Sequence, residues 1–296
     1  MLLAFEDEAG LANELALALD LPLRIINRHR FPDGELRLVL PKPLPSHVVL
    51  LRGLHRPNEK LVELMIAAPA ARELGARRLT LVSPYLAYMR QDIEFTPGEA
   101  VSQRHIGHLL AQYFDAVVTI DPHLHRIRSL DEVLPGRRGV CLSAASLLGA
   151  WVARQVPAAL LVGPDEESAQ WVHQAACANG LDCAIGHKMR HGDHDVSLAL
   201  PDVAVQGRAV VLLDDLASTG RTLIAAAQAL VSRGAATVDV AVTHALFVGD
   251  ALAHLREAGV RHVWSTNSVP HASNVVSVAP LLAQALGKAG SQQQTR

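Results

Sequence analysis

Residues 210–230 read VVLLDDLASTGRTLIAAAQAL. Val210 to Leu213 form an unbroken apolar run of β-formers, the pattern of a strand buried on both faces of a parallel sheet. Asp214 and Asp215 follow at once. The small turn Ser218-Thr219-Gly220 comes next, and after Arg221 an Ala- and Leu-rich helix is expected to open at Thr222. A strand end carrying carboxylates beside a helix N-terminus places two chemistries together. Hydroxyls and backbone N–H groups at the helix start can hold a phosphate. The aspartates can accept hydrogen bonds from ribose hydroxyls or hold a magnesium ion. Such a pocket suits a ribose 5-phosphate moiety.

Outward from this stretch, a chain of 296 residues has room for two ordinary α/β domains. Half its residues (50%) are hydrophobic and 19% are charged, which supplies a large core and argues against disorder. With a net charge of −2 and no basic stripe interleaved with aromatics, nucleic acid is not expected as a main partner. Cys141, Cys177 and Cys183 make no paired framework, which suits a reducing compartment. No stretch of about 18 apolar residues suggests a membrane span, and the acidic EDE at 6–8 is unlike a signal peptide. A cytoplasmic protein without a membrane partner is expected.

Strands are expected at 2–5, 48–51, 79–82, 117–120, 159–162, 183–186, 238–242 and 262–265. Helices are expected at 11–19, 58–74, 100–113, 144–154, 220–233, 250–258 and 279–286. This alternation marks an α/β fold. Glu35 to Leu40 alternates as a half-exposed strand behind an Asp33-Gly34 turn. PGRRGVCLSAAS, 135–146, reads as a hinge. It separates an N-terminal domain, 1–143, from a C-terminal domain, 144–286, with 287–296 as a frayed, disordered tail.

The polar segments gather at strand ends. SPYLAYMRQD, 83–92, brings Tyr85, Tyr88, Arg90, Gln91 and Asp92 into one loop at a strand's carboxyl end, where open α/β sheets bind ligands. A guanidinium suits phosphate; an amide and aromatic rings suit a nucleobase. In DPHLH, Asp121, His123 and His125 alternate, so an extended backbone would turn His123 away from its neighbours. GPDEES delivers Asp165 to a strand end, followed by Glu166, Glu167 and Ser168. GHKMRHGDHD, 186–195, reads as a polar loop. Its His187, His191 and His194, with Cys183, fit no standard zinc spacing, and Lys188 and Arg190 are the more telling residues.

The 210–230 stretch resembles the ribose-phosphate motif of type I phosphoribosyltransferases and ribose-phosphate pyrophosphokinases. Four further segments resemble the pyrophosphokinases: Phe31-Pro32-Asp33-Gly34-Glu35, the PYxxYxRQD of 84–92, the D-x-H ending at His123, and the K-x-R of Lys188 and Arg190. The resemblance runs from Phe31 to about Leu286. It implies two similar Rossmann-like α/β domains of the type I phosphoribosyltransferase kind, each a mainly parallel sheet flanked by helices. The implied activity is that of a ribose-phosphate diphosphokinase, moving the pyrophosphoryl group of ATP to the C1 hydroxyl of ribose 5-phosphate.

Residue roles follow from the same resemblance. ATP would be bound by Phe31, Asp33, Gly34, Glu35, Arg90, Gln91, Asp92 and His123. Asp214, Asp215, Ser218, Thr219, Gly220, Arg221 and Thr222 would bind ribose 5-phosphate. Lys188 and Arg190 would be catalytic, and His123 and Asp165 would hold Mg²⁺. The FPDGE turn would enter a neighbouring subunit's adenine site, which implies a homo-oligomer built from twofold dimers. Glu166, Glu167 and Ser168 depart from a pattern that usually has glycines, and Ser218 and Arg221 stand where many members have Asp and Gly. Arginine adds a cation beside a dianion but disfavours a positive φ. Two other readings are weighed: a non-catalytic synthase-associated regulator, expected to lose the cations or metal ligands retained here, and a phosphoribosyltransferase, which needs no ATP site.

Overall fold

The structure, a computed structural model, describes residues 1–291 apart from 125, 128, 192–194 and 200–202. The chain divides into two compact units, Met1–Leu142 with Val278–Arg296, and Ser143–Ser277.

In the first unit, β1 (Leu2–Phe5), β2 (Leu23–Arg30), β3 (Leu36–Val39), β4 (His47–Leu51), β5 (Arg78–Ser83), β6 (Ala116–Ile120) and β7 (Arg138–Leu142) make one sheet. Its order is β3-β2-β1-β4-β5-β6-β7. Neighbours are parallel except β2 and β3. The strands LLAF and AVVTI are buried at every residue, as strands covered on both faces should be. Helices α1 (Ala9–Leu19), α2 (Pro57–Glu73) and α3 (Ser102–Tyr113) belong to this unit. Pro57 at the start of α2 has its φ preset for helix and lacks an N–H that the first turn would leave unused. Strands β1 to β3 run outward one way and β4 to β7 the other, so the strand order reverses between β1 and β4.

The second unit holds β8 (Leu160–Gly163), β9 (Asp182–Ile185), β12 (Ala209–Ala217), β13 (Thr237–Ala245), β14 (Val260–Thr266) and β15 (Asn274–Val276). These form a parallel sheet in the order β15-β14-β13-β12-β8-β9, which reverses between β8 and β12. Val210 and Leu212 pack with Leu223 and Leu230 of α6 (Arg221–Ser232). Val211 and Leu213 pack on the other layer, with Leu148 of α4 (Ala145–Gln155) and Trp171 of α5 (Ala169–Asn179). The strand's two-residue period thus feeds both layers from one apolar run. α7 (Ala251–Glu257) completes the helices, and β10 (His187–His191) with β11 (Asp195–Ala199) forms a separate antiparallel ribbon.

The expected α/β architecture is the one adopted. Several elements differ from expectation. Residues 138–142, read as hinge, are edge strand β7, paired with β6 from Ala116↔Arg138 to Ile120↔Leu142. The stretch 186–195, read as a loop, contributes the ribbon. Strand β2 was masked by its run of charges after Ile26, and α5 and β15 were not anticipated. Helix α8 (Ala279–Ser291) was placed with the second half; it packs beside α1 in the first unit and extends into the expected tail. The remainder of that tail, 292–296, lies outside the described residues. Among the described residues, no helix is long and apolar enough to cross a membrane.

Candidate active site

Asp214 and Asp215 lie inside β12 rather than beyond it, because β13 keeps pairing with that strand as far as Ala217↔Ala245. Its other neighbour, β8, ends at Gly163, and Asp165 follows in extended backbone. The three carboxylates therefore meet at the point where strand order reverses. Burial, then the charge of Asp215, then that of Asp165, push Asp214 well above the usual carboxylate range. The Asp215 backbone N–H, donating to Asp214 Oδ1 at 3.0 Å, acts in the opposite direction. Asp215 and Asp165 are themselves buried. A carboxylate raised in this way by its neighbours favours a ligand bringing hydroxyl donors or a cation.

The turn after β12 has its left-handed residue at Gly220, with φ of +72°, and α6 starts at Arg221. The positive φ that would have strained an arginine thus falls on the glycine before it. Ser218 and Thr222 are half-buried, and Thr219 and Arg221 are exposed. The turn is braced from behind: Leu246 N–H donates to Ala217 O at 2.9 Å and Val248 N–H to Ser218 O at 3.2 Å. A fixed turn leading into a 12-residue helix is a ready anion site.

Glu166–Ser168 form a 3₁₀ turn, and the buried Ser168 donates its hydroxyl to Asp165 O at 2.6 Å. Serine in place of glycine therefore ties down the backbone carrying Asp165. Glu166 Oε1 lies 2.7 Å from His187 Nδ1, the first residue of β10. Lys188 and Arg190 occupy alternate positions of β10, opposite Leu198 and Val196, and β11 runs beside α6. Their side chains, and His194 altogether, lie outside the described part of the structure.

In the first unit, the loops after the parallel neighbours β5 and β6 leave from the same end of the sheet. Tyr88 adopts a left-handed φ of 66° and its hydroxyl donates to Asn58 of α2. Arg90 is exposed and makes no ion pair among the described residues. Gln91 is held by Ser102, whose hydroxyl donates to Gln91 Oε1 at 2.9 Å, and Gln103 Nε2 donates to Met89 O at 3.0 Å. The Asp92 side chain is 1% exposed and takes a 2.6 Å ion pair from Arg126. Asp121 has φ of 37°, which ends the extended geometry and with it the expected alternation of 121 and 123. His123 is half-buried on the loop that follows, and His125 lies outside the described residues.

The FPDGE turn caps β2 and β3. Phe31 N–H donates to Glu35 O and Gly34 N–H to Phe31 O, both at 2.9 Å. Asp33 accepts from Glu35 N–H at 3.2 Å, so its carboxylate shapes its own turn. All five residues are exposed, and Phe31 meets the His29 ring edge-on at 4.8 Å. Arg28 and Arg30 of β2 bond to Glu63 and Glu59 of α2, which fixes the hairpin to that helix.

A further charge cluster had no counterpart in the sequence reading. At the β1–β4 reversal, the fully buried Arg52 donates to Asp7 at 2.7 and 2.8 Å and pairs with Glu63 and Glu8. Lys60 reaches Glu8 at 3.3 Å and Gly53 O at 2.8 Å. Burial opposes ionisation of Asp7, but the Arg52 hydrogen bond and the charges of Arg52, Lys60 and Arg28 hold it below its usual range. The only local signal was charge following an apolar strand, at Glu6-Asp7-Glu8 and again at Arg52.

Comparison with known proteins gives these sites a context. Residues 1–113 match a family model described as the N-terminal domain of ribose phosphate pyrophosphokinase. Residues 199–283 match one described as the phosphoribosyl synthetase-associated domain. A Methanopyrus kandleri protein named ribose-phosphate pyrophosphokinase is 35% identical over 289 residues, spanning 97% of this chain and 98% of that one. The chain belongs to the ribose-phosphate pyrophosphokinase family. A Methanosarcina acetivorans member is 33% identical across 93% of this chain and 95% of its own length. The crystal structure of phosphoribosylpyrophosphate synthetase from Mycobacterium smegmatis superposes with a TM-score of 0.85 at 25% identity, covering 99% of each chain. As a ribose-phosphate pyrophosphokinase, the chain is an enzyme of the transferase class, with the two-domain fold of that family.

Proposed function

We propose that the two units divide the family's reaction between them, nucleotide to the first and ribose 5-phosphate to the second. The reaction is attack by the C1 hydroxyl of ribose 5-phosphate on the β-phosphorus of ATP. A new O–P bond forms, the bond to the α-phosphate oxygen breaks, and phosphoribosyl pyrophosphate and AMP result. Asp214 and Asp215 accept hydrogen bonds from the ribose hydroxyls. Residues 218–222 hold the 5-phosphate at the start of α6. Arg90, Gln91 and His123 contact the nucleotide, with Asp92 in support. Lys188 and Arg190 place positive charge over the transferred group, where preorganised charge lowers the barrier most. The observation that carries this reading is the meeting of Asp165, Asp214 and the braced phosphate turn at the β8–β12 reversal.

Magnesium fits the donor set. Among the described residues no three His, Cys, Asp or Glu side chains form a cage, and an ion held largely by substrate phosphates and water needs none. Asp165 offers the oxygen ligands Mg²⁺ prefers, in a place where Asp214 already feels its charge. His123 would hold a phosphate-bound ion from the nucleotide side. When bound, Mg²⁺ supplies charge neutralisation on the phosphates. The free thiols of Cys141, Cys177 and Cys183 accord with a cytoplasmic setting.

The exposed Phe31 turn supports a homo-oligomer built on twofold dimers, with adenine stacked on Phe31 of a neighbouring subunit. Incubation with ribose 5-phosphate, Mg²⁺ and ATP should yield AMP. A Phe31→Ala, Asp33→Ala protein mixed with a Lys188→Ala protein should recover part of that activity once mass measurement shows subunit exchange. Release of ADP in place of AMP would overturn the reaction. Exchange without recovery would overturn the shared site.

A further inference from the structure

Asp92 and Arg126 lie on different loops, the first following β5 and the second following β6. Arg126 Nη1 donates to Asp92 Oδ1 at 2.6 Å. The two ends of the pair differ in environment: the Asp92 side chain is 1% exposed, that of Arg126 51%. Asp92 Oδ2 is also buried, without a hydrogen-bond partner among the described residues. A carboxylate taken this far out of water is costly to leave unpaired. Asp92 therefore depends on Arg126, whereas Arg126 remains well solvated from its outer side.

The position of the pair gives it a use. Asp92 directly follows Arg90 and Gln91, and Arg126 lies three residues after His123. The β5 loop has one anchor already, since α3 holds Gln91 and Met89 through Ser102 and Gln103. That anchor fixes the loop to a helix but not to His123. Resting on the nucleotide assignment above, we propose that Arg126 is a positioning residue. Through Asp92 it joins the two nucleotide loops, setting the spacing between the Arg90–Gln91 pair and His123. Ile120 N–H already donates to Pro84 O at 3.2 Å at the base of the two loops. Without the outer tie their tips must be ordered by the nucleotide itself, which weakens binding and misplaces the phosphates.

The test is steady-state kinetics on full-length Arg126→Ala, Arg126→Lys, Arg90→Ala and a double variant, Asp92→Asn with Arg126→Gln. Arg126→Ala should raise KM for ATP on the order of tenfold or more and leave KM for ribose 5-phosphate unchanged. Arg126→Lys should restore part of the loss. The double variant, which removes both charges together, should lose less than Arg126→Ala, which leaves Asp92 buried without its cation. Because Arg126 is half-exposed, its variants are expected to fold, and thermal melting checks this. If Arg90→Ala raises KM for ATP and Arg126→Ala does not, the tie is refuted while the nucleotide assignment stands. If neither variant changes KM for ATP, both fall. Equal rises in both KM values with a lowered melting temperature would show a merely structural pair and overturn the proposal.

Discussion

The β1–β4 reversal of the first unit and the β8–β12 reversal of the second are equivalent places in their sheets, and burial raises a carboxylate at each, Glu8 and Asp214, yet the neighbouring charges differ. At the first, Asp7, Glu8 and Glu63 are answered by Arg52 and Lys60 within bonding distance. At the second, Asp214 is raised by burial and by two further carboxylates, with one backbone N–H pulling it down. Reversal points are where open α/β sheets bind ligands. A crevice whose charges neutralise one another is scaffold; one whose charges accumulate is completed by its ligand. In the first unit the residues proposed to meet the nucleotide lie elsewhere, in the loops after β5 and β6.

The comparison breaks most readily at Arg52. Arg52→Met leaves the buried Glu63 with Arg28 alone and Glu8 with Lys60 alone, and should cost about 3–5 kcal/mol of unfolding free energy in a urea titration. Ribose 5-phosphate affinity should be unchanged in the protein that remains folded. A neutral effect on stability would mean that the buried charges are not a structural network.

Next in size is Lys188→Ala. Loss of a cation acting on the transferred group should lower kcat by roughly a hundredfold, about 3 kcal/mol, with little change in either KM. Unchanged turnover in the folded variant removes Lys188 from the mechanism.

What the sequence reveals divides along the same line. Val210 to Thr222 was legible as strand, carboxylates, turn and helix, because each has a local cause, although β12 runs on past Leu213 to Ala217, where only its pairing with β13 carries it. The Arg52 network is spread from Asp7 to Glu63 and exists only once β1 pairs with β4 and α2 brings Lys60 and Glu63 to their ends. Arg126 meets Asp92 across 34 positions and His187 meets Glu166 across 21, pairings that no spacing rule announces. Edge strand β7 read as hinge because only one of its sides is covered, which leaves Arg138 and Cys141 exposed and breaks the apolar run. The left-handed turn at Asp121 likewise has no signature beyond the general tolerance of Asp for that geometry.

A smaller effect sharpens the contrast through pH. Burial, then the charges of Lys60 and Arg52, lower the His55 pKa from 6.5 to about 4. The unfolded chain therefore takes up this proton first as pH falls. Stability from His55 is complete above about 6.5 and is lost progressively down to about 4. Allowing for its partial exposure, the loss should be about 2 kcal/mol or less. His55→Gln should flatten the unfolding free energy over that window, and an unaltered slope would place the acid sensitivity elsewhere.

The difference between the two reversal points is tested most directly by calorimetry on Asp214→Asn and Asp215→Asn, titrated separately with ribose 5-phosphate and with a non-hydrolysable ATP analogue. Ribose 5-phosphate affinity should fall about tenfold, roughly 1.4 kcal/mol, while nucleotide affinity stays as in the parent protein. Removing one of several mutually repelling charges should also leave the Asp214→Asn protein at least as stable as the parent. Equal losses for both ligands, or a destabilised Asp214→Asn protein with ribose 5-phosphate affinity intact, would contradict the assignment of the β8–β12 carboxylates to the sugar.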